Sequence, residues 1–252
     1  MVLAASSAMS ESRSPIRIAA VGDLHCTKAS AGALSPWLSS VNAEADVLLL
    51  CGDLTDYGTA EEVQVLSKEL SVVRVPMLAV LGNHDYESGQ ADHVANALSD
   101  AGVKVLCGDT AEILGVGFVG TKGFAGGFGS HTMGHWGEPS IKRFVQDAID
   151  ESLKLEAGLA RLRSEHRVVL LHYAPIRATV EGEPPEIHAF LGCSRLEEPL
   201  LRYPVSAVFH GHAHRGQLEG ATSKGTPVYN VAAPLLRRSF PDRAPFRVIE
   251  LG

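Results

Sequence analysis

The residues best able to do chemistry in this 252-residue chain follow apolar runs. Met77 to Leu81 ends in Gly82-Asn83-His84-Asp85, and Ile16 to Val21 ends in Gly22-Asp23-Leu24-His25. Val47 to Cys51 ends in Gly52-Asp53, Val168 to Leu171 ends in His172, and Val205 to Phe209 ends in His210-Gly211-His212-Ala213-His214. Each run reads as a buried strand. Polar side chains at the carboxyl ends of such strands stand where open α/β sheets place their sites. A single Gly-Asn turn closed by Asp is an ordinary loop; the repetition is what carries weight.

The candidate set is Asp23, His25, Asp53, Asn83, His84, His172, His212 and His214. Clustered imidazoles would repel one another if protonated, and a cation resolves that conflict while explaining the carboxylates. Imidazole nitrogen mixed with carboxylate oxygen suits Zn, Mn, Fe or Co and needs no thiolate. Eight residues are too many for one ion. Two ions sharing a bridging carboxylate use them well, at the ~3.5–4 Å separation of two-metal sites. Two divalent ions bring four positive charges and Asp23 and Asp53 return two. The site therefore suits an anion, phosphate esters foremost. Such ions lower the pKa of a bridging water and clamp phosphoryl oxygens.

The elements that must hold these residues alternate along the first half of the chain. A helix is expected over Ala29 to Ala43, around Leu34, Trp37, Leu38 and Val41. Thr59 caps a second over Ala60 to Leu70, with Glu62 as its capping-box acid. A helix over Gln90 to Ala101 and a strand over Val103 to Leu106 follow. From Glu112 the pattern changes: two short strands meet at Gly115, which suggests a second, partly antiparallel sheet. Ser140 to Arg163 reads as one long helix, and Pro227 to Val231 and Phe246 to Leu251 as strands. Residues 120–139, rich in glycine, and 174–199, with four prolines, read as long loops. They carry no motif, and specificity is expected to live in them. His131, His135, Trp136, Arg177 and Arg195 read as ordinary loop residues, and His210 as a structural histidine with a role near the site left open.

The formal net charge is −7 and the pI about 5.9, which disfavours a nucleic-acid surface. The four cysteines form no CxxC pair and suit a reducing compartment. Cys26, beside His25, is expected to face away from it. No apolar run reaches the ~18 residues of a membrane span. Residues 1–14 read as a disordered leader, and 15–252 as a single, cytoplasmic domain without a membrane partner. Oligomeric state is left open.

The spaced set Asp23-x-His25, Gly52-Asp53, Gly82-Asn83-His84-Asp85, His172 and Gly211-His212-x-His214 resembles the calcineurin-like metallophosphoesterases. All the blocks occur in order from Gly22 to His214, and their joint match is highly specific. The resemblance implies an α/β fold, a four-layer αββα sandwich of two mixed β-sheets flanked by helices. It implies two divalent or mixed-valence transition-metal ions (Mn, Fe, Zn or Co). Asp23, His25 and His214 would hold the first, Asn83, His172 and His212 the second, and Asp53 would bridge. His84 would lie near the substrate phosphate, with Asp85 orienting it, as the catalytic pair. The implied activity is hydrolysis of a small phosphate ester, foremost a phosphodiester of a soluble or nucleotide-like molecule. A phosphomonoesterase, a non-catalytic interaction module and a nuclease are the alternatives. The intact ligand set weighs against the module and the acidic balance against the nuclease.

Overall fold

A computed structural model describes residues 15–252, so the leader expected over 1–14 lies outside the described residues. Strand β1 (Ile16–Val21) shows how the sequence builds layers. Its successive side chains point to opposite faces. Ile18 and Ala20 enter the core between two sheets, while Ala19 and Val21 pack under helices. In β2 (Val47–Cys51), Val47, Leu49 and Cys51 face the inter-sheet core and Leu48 and Leu50 the helical side. Both faces are covered, so these strands read as continuous apolar runs rather than alternating ones.

The remaining strands are β3 (Met77–Val80), β4 (Val103–Val105), β5 (Thr110–Ile113), β6 (Val116–Gly120), β7 (His166–Leu170), β8 (Ala207–His210), β9 (Glu219–Ala221), β10 (Pro227–Asn230) and β11 (Arg247–Leu251). They form a five-stranded sheet in the order β11-β1-β2-β3-β4 and a six-stranded sheet in the order β5-β6-β7-β8-β10-β9. β1 to β4 run parallel and β11 antiparallel. In the second sheet β6, β7, β8 and β10 are parallel, with β5 and β9 as antiparallel edges. Phe118, Val168, Leu170 and Phe209 face the first sheet. Val119, Val169, Leu171 and Val208 face the opposite way.

Helices close the outer faces. Over the first sheet lie α1 (Ala60–Leu70) and α2 (Ala91–Asp100), which bury Val63, Leu66, Leu70, Val94 and Leu98. Over the second lie α3 (Pro139–Arg161) and α4 (Glu197–Arg202). The result is the expected four-layer αββα sandwich. The Thr59 capping box forms as read: its hydroxyl accepts from Glu62 N, and the Glu62 carboxylate accepts from Thr59 N at 3.2 Å. At the β5–β6 turn Leu114 and Gly115 both have positive φ, 52° and 84°, the backbone of a tight two-residue hairpin.

The helix expected over Ala29 to Ala43 does not form as one piece. A 3₁₀ turn at Lys28–Ser30 and single-turn helices at Ser35–Leu38 and Val41–Glu44 replace it. The buried Glu69 carboxylate accepts from the N–H groups of Gly32, Leu34 and Ser35, donors that a continuous helix would spend on its own carbonyls. Pro36 has no N–H and is tolerated in the first turn of a helix, so the chain restarts there. The apolar spacing still holds, since Leu34, Leu38 and Val41 are buried. The 174–199 segment is more ordered than a loop. It contains short helical turns and buries Ile176, Val180, Leu191, Cys193 and Leu196. Among the described residues no helix is long and apolar enough to cross a membrane.

Candidate metal centre

The carboxyl ends of β1, β2 and β3 in one sheet and of β7 and β8 in the other meet at a single place. All seven ligand-type residues expected from the sequence arrive there, together with His84. Three sets of ligand atoms converge: Asp23 with His25 and His214, His25 with Asp53 and His84, and Asp53 with His172 and His212. Asp53 belongs to two of them.

The strand ends need unusual backbone. Among the described residues outside glycine, positive φ occurs at Asp23 (55°), His25 (45°), Asp53 (48°), Leu114 and His212 (69°). Four of these five are candidate ligands. Such conformations cost of order 1 kcal/mol or more each and gather where function requires them. Close approach also demands missing side chains. A Cβ on Gly82 would collide with the Asp53 carboxylate, and one on Gly211 with that of Asp23.

Asp23 is buried and accepts from His212 N at 2.9 and 3.0 Å, with His214 Nε2 at 3.0 Å from its Oδ1. His25 Nδ1 lies 3.0 Å from Asp56 Oδ1. Its Nε2 is buried without any partner and faces Asp53 Oδ2 at 4.0 Å. Asp53 Oδ1 accepts from His84 N at 2.9 Å and lies 3.3 Å from His172 Nε2. His172 Nδ1 donates to the Cys51 carbonyl at 3.1 Å, and its Nε2 is 2.9 Å from Asn83 Oδ1. That leaves Nε2 pointing at two oxygens that can only accept or coordinate. The His212 ring stands 4.7 Å from that of His172.

An orphaned imidazole nitrogen beside carboxylate and carbonyl oxygens fits a cation. Burial opposes charge on both members of the Asp53–His172 pair. Their mutual attraction prevails, holding the Asp53 carboxyl well below the usual carboxylate range and raising His172. Burial, and then the charge of His172, push His212 down to about 3. The hydrogen bond to Asp23 raises His214.

The contacts of one site residue differ from those expected. The buried Asp85 carboxylate does not reach the His84 ring. It accepts from Leu54 N, Thr55 N, the Thr55 hydroxyl and Gly82 N, at 2.6–3.2 Å, and so ties the 53–55 and 82–86 loops together. The His84 ring is oriented instead by its Nδ1, which donates to the Asp56 carbonyl at 2.7 Å. Asp56 thus serves both His25 and His84, and the sequence reading did not include it. The available signal was chemical: a coordinating histidine usually hands its second nitrogen to a carboxylate or carbonyl, and Asp56 lies three residues past Asp53.

Cys26 faces the helical core, away from the site. His131 and Arg177 line a small cavity between the 120–139 and 174–199 segments. Arg195 Nη2 donates to the Met133 carbonyl at 2.8 Å and so joins the same two segments.

His210 is structural in its contacts. It is buried, with Nδ1 2.7 Å from the Gly211 carbonyl and Nε2 2.8 Å from the Thr179 hydroxyl. Burial lowers its pKa from 6.5 to about 4. Between those values the unfolded chain takes up a proton that the native one refuses, so the native state loses stability as pH falls through that window. His210→Gln should flatten that part of the melting-temperature profile and cost about 1–3 kcal/mol at neutral pH. Thermal melts of both proteins across the window check this; parallel profiles would assign the acid loss elsewhere.

The sequence profile of the calcineurin-like phosphoesterases matches residues 16–216. The chain belongs to this family. Within it, the chain is 20% identical over 191 residues to a probable glycerophosphodiester phosphodiesterase of Arcobacter nitrofigilis, covering 71% of this chain and 60% of that one. It is 26% identical over 183 residues to a probable cyclic nucleotide phosphodiesterase of Vesicomyosocius okutanii, covering 68% and 63%. The chain therefore spans less than two thirds of the length of these two curated relatives. In fold it resembles the phosphopantetheinyl hydrolase of Mycobacterium tuberculosis, with a TM-score of 0.66 at 16% identity over 94% of this chain and 96% of that one.

Proposed function

We propose that this family member is a metal-dependent hydrolase that cleaves a phosphodiester of a small soluble or nucleotide-like molecule at a dinuclear centre. One observation carries the reading: the Asp53 carboxylate converges with His25 on one side and with His172 and His212 on the other. Asp23, His25 and His214 would hold one ion, Asn83, His172 and His212 the other, and Asp53 both. When bound, such ions supply Lewis acidity toward a phosphoryl oxygen and ionise water near neutral pH. The chain's own residues do the rest. Asp56 fixes the His25 ring with Nε2 aimed inward. His84 presents Nε2 to the same space, where it can act on the phosphoryl group or the departing oxygen. The names of the two relatives support a diester over a monoester. In this reading residues 15–252 form one domain, and the four free thiols support a reducing compartment such as the cytoplasm.

Protein purified without chelator should carry close to two ions of Mn, Fe, Zn or Co per chain, by elemental analysis. It should turn over bis-p-nitrophenyl phosphate faster than p-nitrophenyl phosphate. Full activity at one ion would sink the dinuclear arrangement. Preference for the monoester would make it a phosphomonoesterase, and no turnover with ions bound would leave an interaction module.

A further inference from the structure

The segment after β6 carries a lysine that has no ion-pair partner among the described residues. The Lys122 ammonium stands 4.7 Å from the centroid of the Phe124 ring, 5.1 Å from Tyr173 and 5.5 Å from Tyr86. Among the described residues its one hydrogen bond runs to the Gly123 carbonyl at 3.1 Å. The nearby Glu151 carboxylate is spent elsewhere. It accepts from the Thr121 hydroxyl and from Gly123 N at 2.9 Å, and it pairs with Lys154 at 2.6 Å. Among the described residues no carboxylate lies within ion-pair distance of Lys122. An ammonium has three donors, so two remain open. Contact with aromatic faces is a weak substitute for an anion.

The backbone fixes this lysine beside the metal centre. The Lys122 carbonyl accepts from both His172 N and Tyr173 N, at 3.0 and 3.1 Å. The Tyr173 ring in turn lies 4.5 Å from the ring of His212 and 5.4 Å from that of His172. A single aromatic ring thus separates the ammonium from two candidate ligands. Tyr86, two residues past His84, is 44% exposed, so the enclosure opens to solvent on that side.

We infer that Lys122 is a substrate-binding residue that grips an anionic oxygen of the phosphate ester across the Tyr173 ring from His172 and His212, an assignment resting on the proposed phosphoesterase reading. A desolvated ammonium held by a rigid backbone and walled by rings meets such an oxygen with little reorganisation. Substrates bearing more than one negative charge gain most from it.

Lys122→Met keeps the aliphatic stem and the backbone bonds while removing the charge, and Lys122→Arg keeps the charge. Binding of inorganic phosphate and of pyrophosphate to Mn²⁺-loaded protein is followed by calorimetry. Lys122→Met should weaken at least one of them by about ten- to a hundredfold, Lys122→Arg by less, with metal content unchanged. Lys122→Gln serves if the methionine variant fails to fold. Loss toward both anions assigns the contact to the scissile phosphoryl group, and loss toward pyrophosphate alone to an adjoining anionic group. Equal affinities in wild type and variants, or a wild type that binds neither anion, overturn the assignment. Nitrophenyl-ester turnover and metal stoichiometry of the wild type are scored separately. If those fail while Lys122→Met still weakens phosphate, the hydrolase reading falls and the anion site stands.

Discussion

Asp53→Asn should cut ester turnover by about a thousandfold or more and strip ions from the protein. The substitution keeps the shape and an Oδ1 able to accept from His84 N, so the backbone bond at 2.9 Å survives. What disappears is a buried negative charge between the two ligand sets. A unit-charge pair ~4 Å apart is worth ~4 kcal/mol at an effective dielectric constant of 20. One carboxylate attracting two dications exceeds that, and ~4 kcal/mol is already a thousandfold. Asn83→Ala removes one neutral oxygen beside His172, and excess metal should restore much of its activity. Mn²⁺ titration of both variants separates them. Equal rescue would mean that Asp53 is not shared.

His84→Ala should leave metal content intact yet slow an alkyl phosphodiester by about 10²–10⁴-fold while slowing a nitrophenyl diester far less. The His84 side chain is 39% exposed, and its Nδ1 hydrogen is taken by the Asp56 carbonyl. Nε2 therefore carries a proton only when the ring is charged. In that form it can donate to a departing oxygen, which an alkoxide needs and a nitrophenolate does not. Equal losses on the two substrates would leave His84 a charge clamp for the phosphoryl group. Loss of an ion would place it among the ligands, as its convergence with His25 and Asp53 allows.

The fold and the convergence of the candidate ligands were legible for the same reason. Strands covered on both faces spell apolar runs, so a polar residue ending such a run stands out, and five of them could be counted. Interactions between distant parts of the chain were not legible. Glu69 reaches back to Gly32, Leu34 and Ser35 and breaks a helix whose apolar spacing was sound. The family resemblance implied that Asp85 serves His84. The hydrogen bonds give that task to Asp56, 28 residues earlier. Left-handed backbone at Asp23, His25, Asp53 and His212 has no composition signal, because glycine is absent there. Nor did the order within 174–199 show, since its short turns are held by packing rather than by propensity.

Two of the three ligand sets straddle the two sheets. Asp23 and His25 come from the first and their partner His214 from the second, 191 residues beyond Asp23. The other set likewise needs Asp53 from β2 and His172 and His212 from β7 and β8. Only the set of His25, Asp53 and His84 lies within one sheet. A growing chain leaving the ribosome at ~5–20 residues per second thus exposes Asp23 and His25 for roughly ten to forty seconds before His214 exists. An ion caught early, between His25, Asp53 and His84, would lack every ligand that the second sheet brings.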